Sequence, residues 1–124
     1  MKPCGDIVVL LVDDDASFRS GVAANLADDG HVVHEHAAPA EVASDRLREV
    51  DVVVTHFHMA EADGIAFADA VHGVRPGIPV LLVTAYWTVE VEAAAALRPY
   101  VHLYRRPIDY DDLHGRIHAA AVAI

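Results

Sequence analysis

Short apolar runs alternate along the chain with longer amphipathic stretches. DIVVLLV (residues 6–12) is continuous and β-branched, which predicts a strand covered on both faces. The DDDASFRSGVAANLADDG segment then places Phe18, Val22 and Leu26 on one helical face. Asp14 or Asp15 supplies the helix cap, and Gly30 the stop. HVVHEH (31–36) predicts a second, more polar strand near a sheet edge. Pro39 opens a predicted helix running to about Arg48, with Val42 and Leu47 inward. DVVVTH (51–56) predicts a third buried strand. Gly64 to Val74 predicts a helix carrying Ile65, Ala68 and Val71, broken by Arg75-Pro76-Gly77. PVLLVTA (79–85) is a fourth strand. Thr88 to Leu97 reads as an alanine-rich helix closed by Pro99, although Val89 and Val91 alternate with Glu90 and Glu92 as in a strand. YVHLYRR (100–106) is the fifth strand. Asp109 caps a last helix with Leu113, Ile117 and Ala121 inward.

Five strands interleaved with five helices predict an α/β chain with parallel right-handed crossovers and helices on both sheet faces. No internal repeat, linker or low-complexity tract divides it, so residues 1–124 are expected to form a single domain. In such sheets the ligand site lies beyond the carboxyl ends of the strands. Asp13 and Asp14 follow the first strand, His56 the third, Thr84 the fourth and Arg106 the fifth. Two adjacent carboxylates repel unless a cation or a basic side chain joins them. Oxygen ligands of this kind suit magnesium. A plain helix cap would account for the acidic run alone, but not for Thr84 and Arg106 at neighbouring strand tips.

Composition narrows the classes. Apolar residues make up 54% of the chain, enough for one sizeable core. The formal net charge is −10, and basic residues do not cluster apart from Arg105-Arg106, which disfavours direct nucleic-acid binding. No apolar stretch is long enough to span a membrane, and the N-terminus lacks a signal-peptide core, so a cytoplasmic location is expected. Cys4 is the single cysteine and forms no internal disulfide.

LLVDDD (10–15), VVVTHFHMAEADG (52–64), VLLVTA (80–85) and YRRP (104–107) together resemble the receiver domain of bacterial two-component response regulators, over essentially the whole chain. The resemblance implies a three-layer doubly wound (βα)5 fold of the flavodoxin or CheY-like type, with a five-stranded parallel sheet in the order 2-1-3-4-5. It implies a signal-transduction role in which an aspartate at the end of the third strand takes a phosphoryl group from a histidine kinase. Asp13 and Asp14 would be the metal pair, His58 would offer a backbone carbonyl to the metal, Thr84 would be the switch hydroxyl, and Pro107 a cis-proline. The resemblance also implies protein partners (a histidine kinase, an output domain or another regulator) and a homodimer or docking face made by the fourth helix, fifth strand and fifth helix. Tyr86, Trp87, Tyr100 and Tyr104 lie in that neighbourhood.

The sequence departs from the pattern at its centre. His56 stands at the phosphoacceptor position and Arg106 at the lysine position. Leu103 replaces the switch aromatic, and Ala60 the usual loop proline. Asp51 is at the far end of the third strand, and Glu61 and Asp63 fall on positions that are not acceptors. Three carboxylates and a lysine sum to −2; Asp13, Asp14, Arg106 and a neutral His56 sum to −1. One unit charge near a dication is worth on the order of several kcal/mol at an effective dielectric of about 20. Magnesium is therefore expected to bind weakly or not at all, and no cofactor is expected. Arg106 is expected instead to grip an aspartate in a two-toothed fork. Neighbouring carboxylates favour a charged His56, while burial opposes it.

The leading expectation is a non-enzymatic, degenerate receiver that works as a phosphorylation-independent protein-interaction module. The alternative is a phosphorylatable, magnesium-dependent receiver, with His56 itself or an altered acceptor position. Transition-metal binding by His34 and His36 or by His56 and His58, and pH sensing by His56, compete as sharper readings. A nucleotide-binding or hydrolase reading is weak, because no glycine-rich phosphate loop follows the first strand.

Overall fold

A computed structural model describes residues 7–57, 63–85 and 87–122. Its sheet has five parallel strands: β1 (Val8–Val12), β2 (Val32–His36), β3 (Val52–Thr55), β4 (Val80–Thr84) and β5 (Val101–Arg105). Their order is β2-β1-β3-β4-β5, so the polar β2 is an edge strand, as its composition predicts. Four α-helices connect them: α1 (Ala16–Asp28), α2 (Gly64–Val74), α3 (Val89–Ala96) and α4 (Tyr110–Val122).

The pleat divides each central strand between two cores. Leu10, Val12, Val53, Val80 and Leu82 pack beneath α2 and α3, with Phe67, Val71, Val91 and Ala95. Val9, Leu11, Val52, Val54, Leu81 and Val83 face the other way, onto Val22 and Leu26 of α1 and Leu113 and Ile117 of α4. Each fully buried Val, Leu or Ile contributes about 1.5–3 kcal/mol.

The helix ends follow their sequence signals. Asp15 caps α1 by accepting the Phe18 N–H at 3.2 Å, and Gly30 closes it at φ 89°. Asp63 caps α2 at Ala66 (2.7 Å), and Thr88 caps α3 at Val91 (3.1 Å). The strand-like alternation at Val89 and Val91 gives way to this cap and the alanine run.

The predicted helix from Pro39 to Arg48 does not form, so the chain has four α-helices among the described residues, not five. In its place are two 3-10 turns, Pro39–Glu41 and Ser44–Arg48. β-branched Val42 sits between them with extended backbone (φ −87°, ψ 118°), and Ser44 and Asp45 favour turns over helix interior. Arg75 compensates: its Nη1 donates to the carbonyls of Leu47 (2.7 Å), Arg48 (3.1 Å) and Val50 (2.8 Å). Carbonyls at the end of this crossover are thus satisfied from the end of α2. α3 and α4 consequently hold the places of a fourth and fifth helix.

Two polar clusters fasten the layers away from the strand tips. Between α2 and α3, Arg98 grips Asp69 through Nε (2.6 Å) and Nη2 (2.9 Å), and the Tyr100 hydroxyl donates to the same carboxylate at 2.5 Å. At the amino end of the sheet, the Ile7 N–H donates to His31 Nδ1 (3.3 Å), and His31 Nε2 lies 2.7 Å from His114 Nε2. The Tyr110 hydroxyl donates to Asp29 at 2.9 Å, and burial together with that bond pushes its pKa up.

Candidate functional site at the strand tips

β1 ends where its pairing runs one residue beyond the strand: the Asp13 N–H donates to the His36 carbonyl at 3.0 Å. This draws Asp13 inside, fully buried, while Asp14 and Asp15 turn outward. One Asp13 oxygen accepts the Asp15 N–H at 2.9 Å, and the other accepts Arg106 Nη2 in a close contact. Arg19, one turn into α1, donates to the Asp13 carbonyl and lies 3.5 Å from Glu35.

Arg106 arrives from the end of β5. Its backbone N–H donates to the Thr84 carbonyl (3.0 Å), its Nε to the Val83 carbonyl (3.0 Å), and its Nη1 approaches Asp15 at 3.9 Å. The guanidinium lies over the Phe18 ring, 3.7 Å from its centroid. The expected two-toothed grip on one aspartate is therefore corrected: the fork is spread over Asp13, Asp15 and a backbone carbonyl. The reason is that Nε is drawn to Val83, which leaves only one edge of the guanidinium for Asp13. The Arg106–Pro107 peptide is cis, as the resemblance implies.

His56 follows β3, half-buried. One of its ring nitrogens and one carboxylate oxygen each from Asp13 and Asp14 lie within 4.8 Å of one another. The chain then closes on itself, with the Gly64 N–H donating to the Phe57 carbonyl at 2.8 Å. A Cβ at Gly64 would stand 2.3 Å from Leu82 Cδ1 and 2.5 Å from the His56 carbonyl, so only glycine fits this approach. Thr84 is fully buried at the end of β4. His58, Ala60 and Glu61 lie outside the described residues, as do Tyr86, Lys2 and Cys4.

The structure thus brings together Asp13, Asp14, His56, Thr84 and Arg106 at the carboxyl ends of four adjacent strands. Asp51 is at the opposite end of β3, where its carboxylate accepts the Val8 N–H at 2.8 Å. Asp63 is engaged as the α2 cap. The histidine pair of β2 separates into different roles. His34 Nε2 is 3.3 Å from Arg46, and burial followed by that cation lowers its pKa; His36 Nδ1 lies 3.6 Å from Glu41. Phe18 and Arg19 are parts of the site that the sequence pattern does not mark. Phe18 is legible as a core-facing residue, and its second role under Arg106 appears only once β5 is placed beside β4.

The fold family implies magnesium at such an acidic tip. Magnesium takes oxygen ligands in a near-octahedral shell. Here the third donor is an imidazole nitrogen, and the buried carboxylate already carries a guanidinium. That donor set does not fit magnesium.

Comparison with known proteins agrees with this geometry. The sequence profile of the response regulator receiver domain matches residues 9–118. The chain is 34% identical over 117 residues to the transcriptional regulatory protein ZraR of Escherichia coli K12, covering 93% of this chain and 26% of that protein. It is 31% identical over 110 residues to GlrR of the same strain, covering 88% of this chain and 25% of that protein. The chain thus spans about a quarter of the length of these relatives. A CheY-like receiver domain from Methanospirillum hungatei superposes with a TM-score of 0.85 at 20% identity, covering 94% of each chain.

Proposed function

The chain belongs to the response regulator receiver domains, a signal-transduction family, and within it we propose a degenerate receiver that acts through protein contacts without carrying a phosphoryl group at its acceptor position. The observation that carries this reading is the buried Asp13–Arg106 ion pair beside His56. A phosphoryl group on the β3 tip needs a carboxylate to accept it and a cation to neutralise the charge it brings. The tip offers an imidazole, and the described cations nearby are committed: Arg106 to Asp13, Val83 and Phe18, and Arg19 to the Asp13 carbonyl and Glu35. The two described aspartates nearest to His56 in sequence are elsewhere: Asp51 on the Val8 backbone and Asp63 on the α2 cap. Magnesium binds weakly or not at all in this reading, and the chain has no enzymatic activity of its own. Residues 1–124 act as one receiver unit.

The docking surface is the face of α3, β5 and α4. Val89, which opens α3, and Leu97, just past its end, are 77% and 81% exposed and lie about two turns apart. Just before Val89, Trp87 is held by Arg105, 4.5 Å from its ring centroid, and by a bond from Nε1 to Glu92 at 3.2 Å. Trp and Arg are among the residue types enriched at interface anchors. The partner is a protein: a kinase, an output domain, another regulator or a second copy of this chain. No described helix is long and apolar enough to cross a membrane, and the net charge of −10 argues against nucleic acid as a direct partner.

The convergence of Asp13, Asp14 and His56 at the strand tips supports a second reading, a phosphorylatable receiver with altered acceptor chemistry. Incubation with acetyl phosphate and magnesium, followed by intact-mass measurement, separates the two. The unmodified chain is expected to gain no phosphoryl mass, and His56→Asp combined with Arg106→Lys is expected to gain one. A stable phosphoryl adduct on the unmodified chain refutes the degenerate reading.

A further inference from the structure

The imidazole at the tip of β3 changes what the acidic pair can hold. Asp13, Asp14 and His56 each bring one ligand atom to a common point, all within 4.8 Å of one another, and they are the metal-spaced group found among the described residues. Their positions are built by the sheet: β1 and β3 are hydrogen-bonded neighbours in register, Val12 beside Thr55, so the residues just after them emerge side by side. Burial is graded across the group. Asp13 is buried, His56 half-buried and Asp14 exposed, so the point is anchored inside and opens to solvent on the Asp14 side.

Two carboxylates balance the charge of a dication, and the neutral third donor is nitrogen. Imidazole nitrogen is a ligand of zinc, cobalt, nickel and copper, whereas magnesium is held by oxygen and gives up its water reluctantly. We propose that Asp13, Asp14 and His56 form a site for a borderline d-block dication, zinc or cobalt(II), and that this site prefers such ions to magnesium.

Arg106 does not close the point to them. A carboxylate has about four lone-pair sites, of which the guanidinium and the Asp15 N–H use two on Asp13. The guanidinium repels every dication alike. It therefore discriminates most against an ion held by charge alone, and least against one that also gains a directional nitrogen bond. Three protein ligands leave a fourth tetrahedral position for water on the exposed side. The proposal depends on the donor atoms, not on whether a phosphoryl group is ever carried.

The test is titration of the chelator-stripped chain with cobalt(II), read by its visible absorption and by calorimetry. One cobalt per chain is expected, displaced by zinc and undisturbed by millimolar magnesium. His56→Ala is expected to weaken cobalt binding by at least about tenfold, the scale of losing a metal-supporting group. Because the chain has nine histidines, location is read separately, in the unmodified protein, from cobalt-induced paramagnetic NMR shifts. These are expected to be largest around Val12 and Thr55. Absence of cobalt binding, binding unaffected by His56→Ala, shifts centred on His34 and His36 or on His31 and His114, or displacement by magnesium at matched concentration overturns the proposal. Should His56→Ala fail to fold, the shift map of the unmodified chain decides by itself. A negative metal result leaves the phosphorylation assay unaffected, and the reverse holds too.

Discussion

Asp13 has no exposed surface, and both of its oxygens are engaged, one by Arg106 and one by a backbone N–H. Breaking one half of a buried pair leaves the other uncompensated, which typically costs roughly 3–5 kcal/mol. Arg106→Met is expected to destabilise the chain on that scale in urea unfolding. Adding Asp13→Asn to it is expected to recover part of the loss, because the stranded charge is removed. Arg106→Lys keeps the charge but forfeits the planar contact with Phe18 and the bond to Val83, so a loss of about 1 kcal/mol is expected. Gly64→Ala tests a different constraint. Its methyl would meet Leu82 and the His56 carbonyl, and overpacking of this kind costs about 1–3 kcal/mol. A backbone shift at the β3 tip should accompany it, visible as NMR shifts at Thr55 and Phe57.

Among the elements, α2 and α3 are joined by the Asp69–Arg98–Tyr100 cluster. The hydrogen bonds from Arg98, then from Tyr100, hold Asp69 down to about 2 from an ordinary 3.8. A depressed carboxyl contributes stability that is fully present above its unfolded value and lost as the pH falls toward the folded one. The chain should therefore lose this contribution between about pH 4 and pH 2, and Asp69→Asn should remove that part of the acid dependence. The Asp69 side chain is 42% exposed, so the effect is of the order of a surface pair, about 1 kcal/mol or less. At the other end of the sheet the tautomers are dictated by bonding. A backbone N–H only donates, so His31 Nδ1 accepts from Ile7 and its proton sits on Nε2. His31 then donates to His114 Nε2, which places the His114 proton on Nδ1, facing Asp29 at 3.7 Å. Nitrogen-15 NMR is expected to report opposite tautomers for the two neutral rings.

Most elements were legible because one strong local signal marks each end, as Asp15 and Gly30 do for α1. The second crossover was not. Pro39 and an apolar spacing at Val42 and Leu47 imitate a helix start, while the side chain that keeps the segment turned, Arg75, comes from a distant element. The strand-tip residues were legible individually. The sharing of Arg106 among Asp13, Val83, Asp15 and Phe18 was not, because it depends on where β5 meets the other strands.

For the whole molecule, a docking face on α3, β5 and α4 bears on association. Val89→Asp with Leu97→Asp alters exposed side chains only, so stability is expected to change by no more than about 0.5 kcal/mol. Any self-association measured by sedimentation should be lost in that variant. With a net charge of −10, two copies repel at low ionic strength, so pairing through this face should strengthen as salt is added. Weakening with salt would speak against it.

The Asp13–Arg106 contact has a further consequence, in time. It joins residues 93 positions apart and spans β3 and β4 to tie the tip of β1 to that of β5. Contacts of such sequence separation are reached late, after the intervening strands are in place. Removing the guanidinium should hardly slow assembly of the sheet, and should instead shorten the lifetime of the assembled state. A chevron for Arg106→Met is expected to keep its folding limb and raise its unfolding limb.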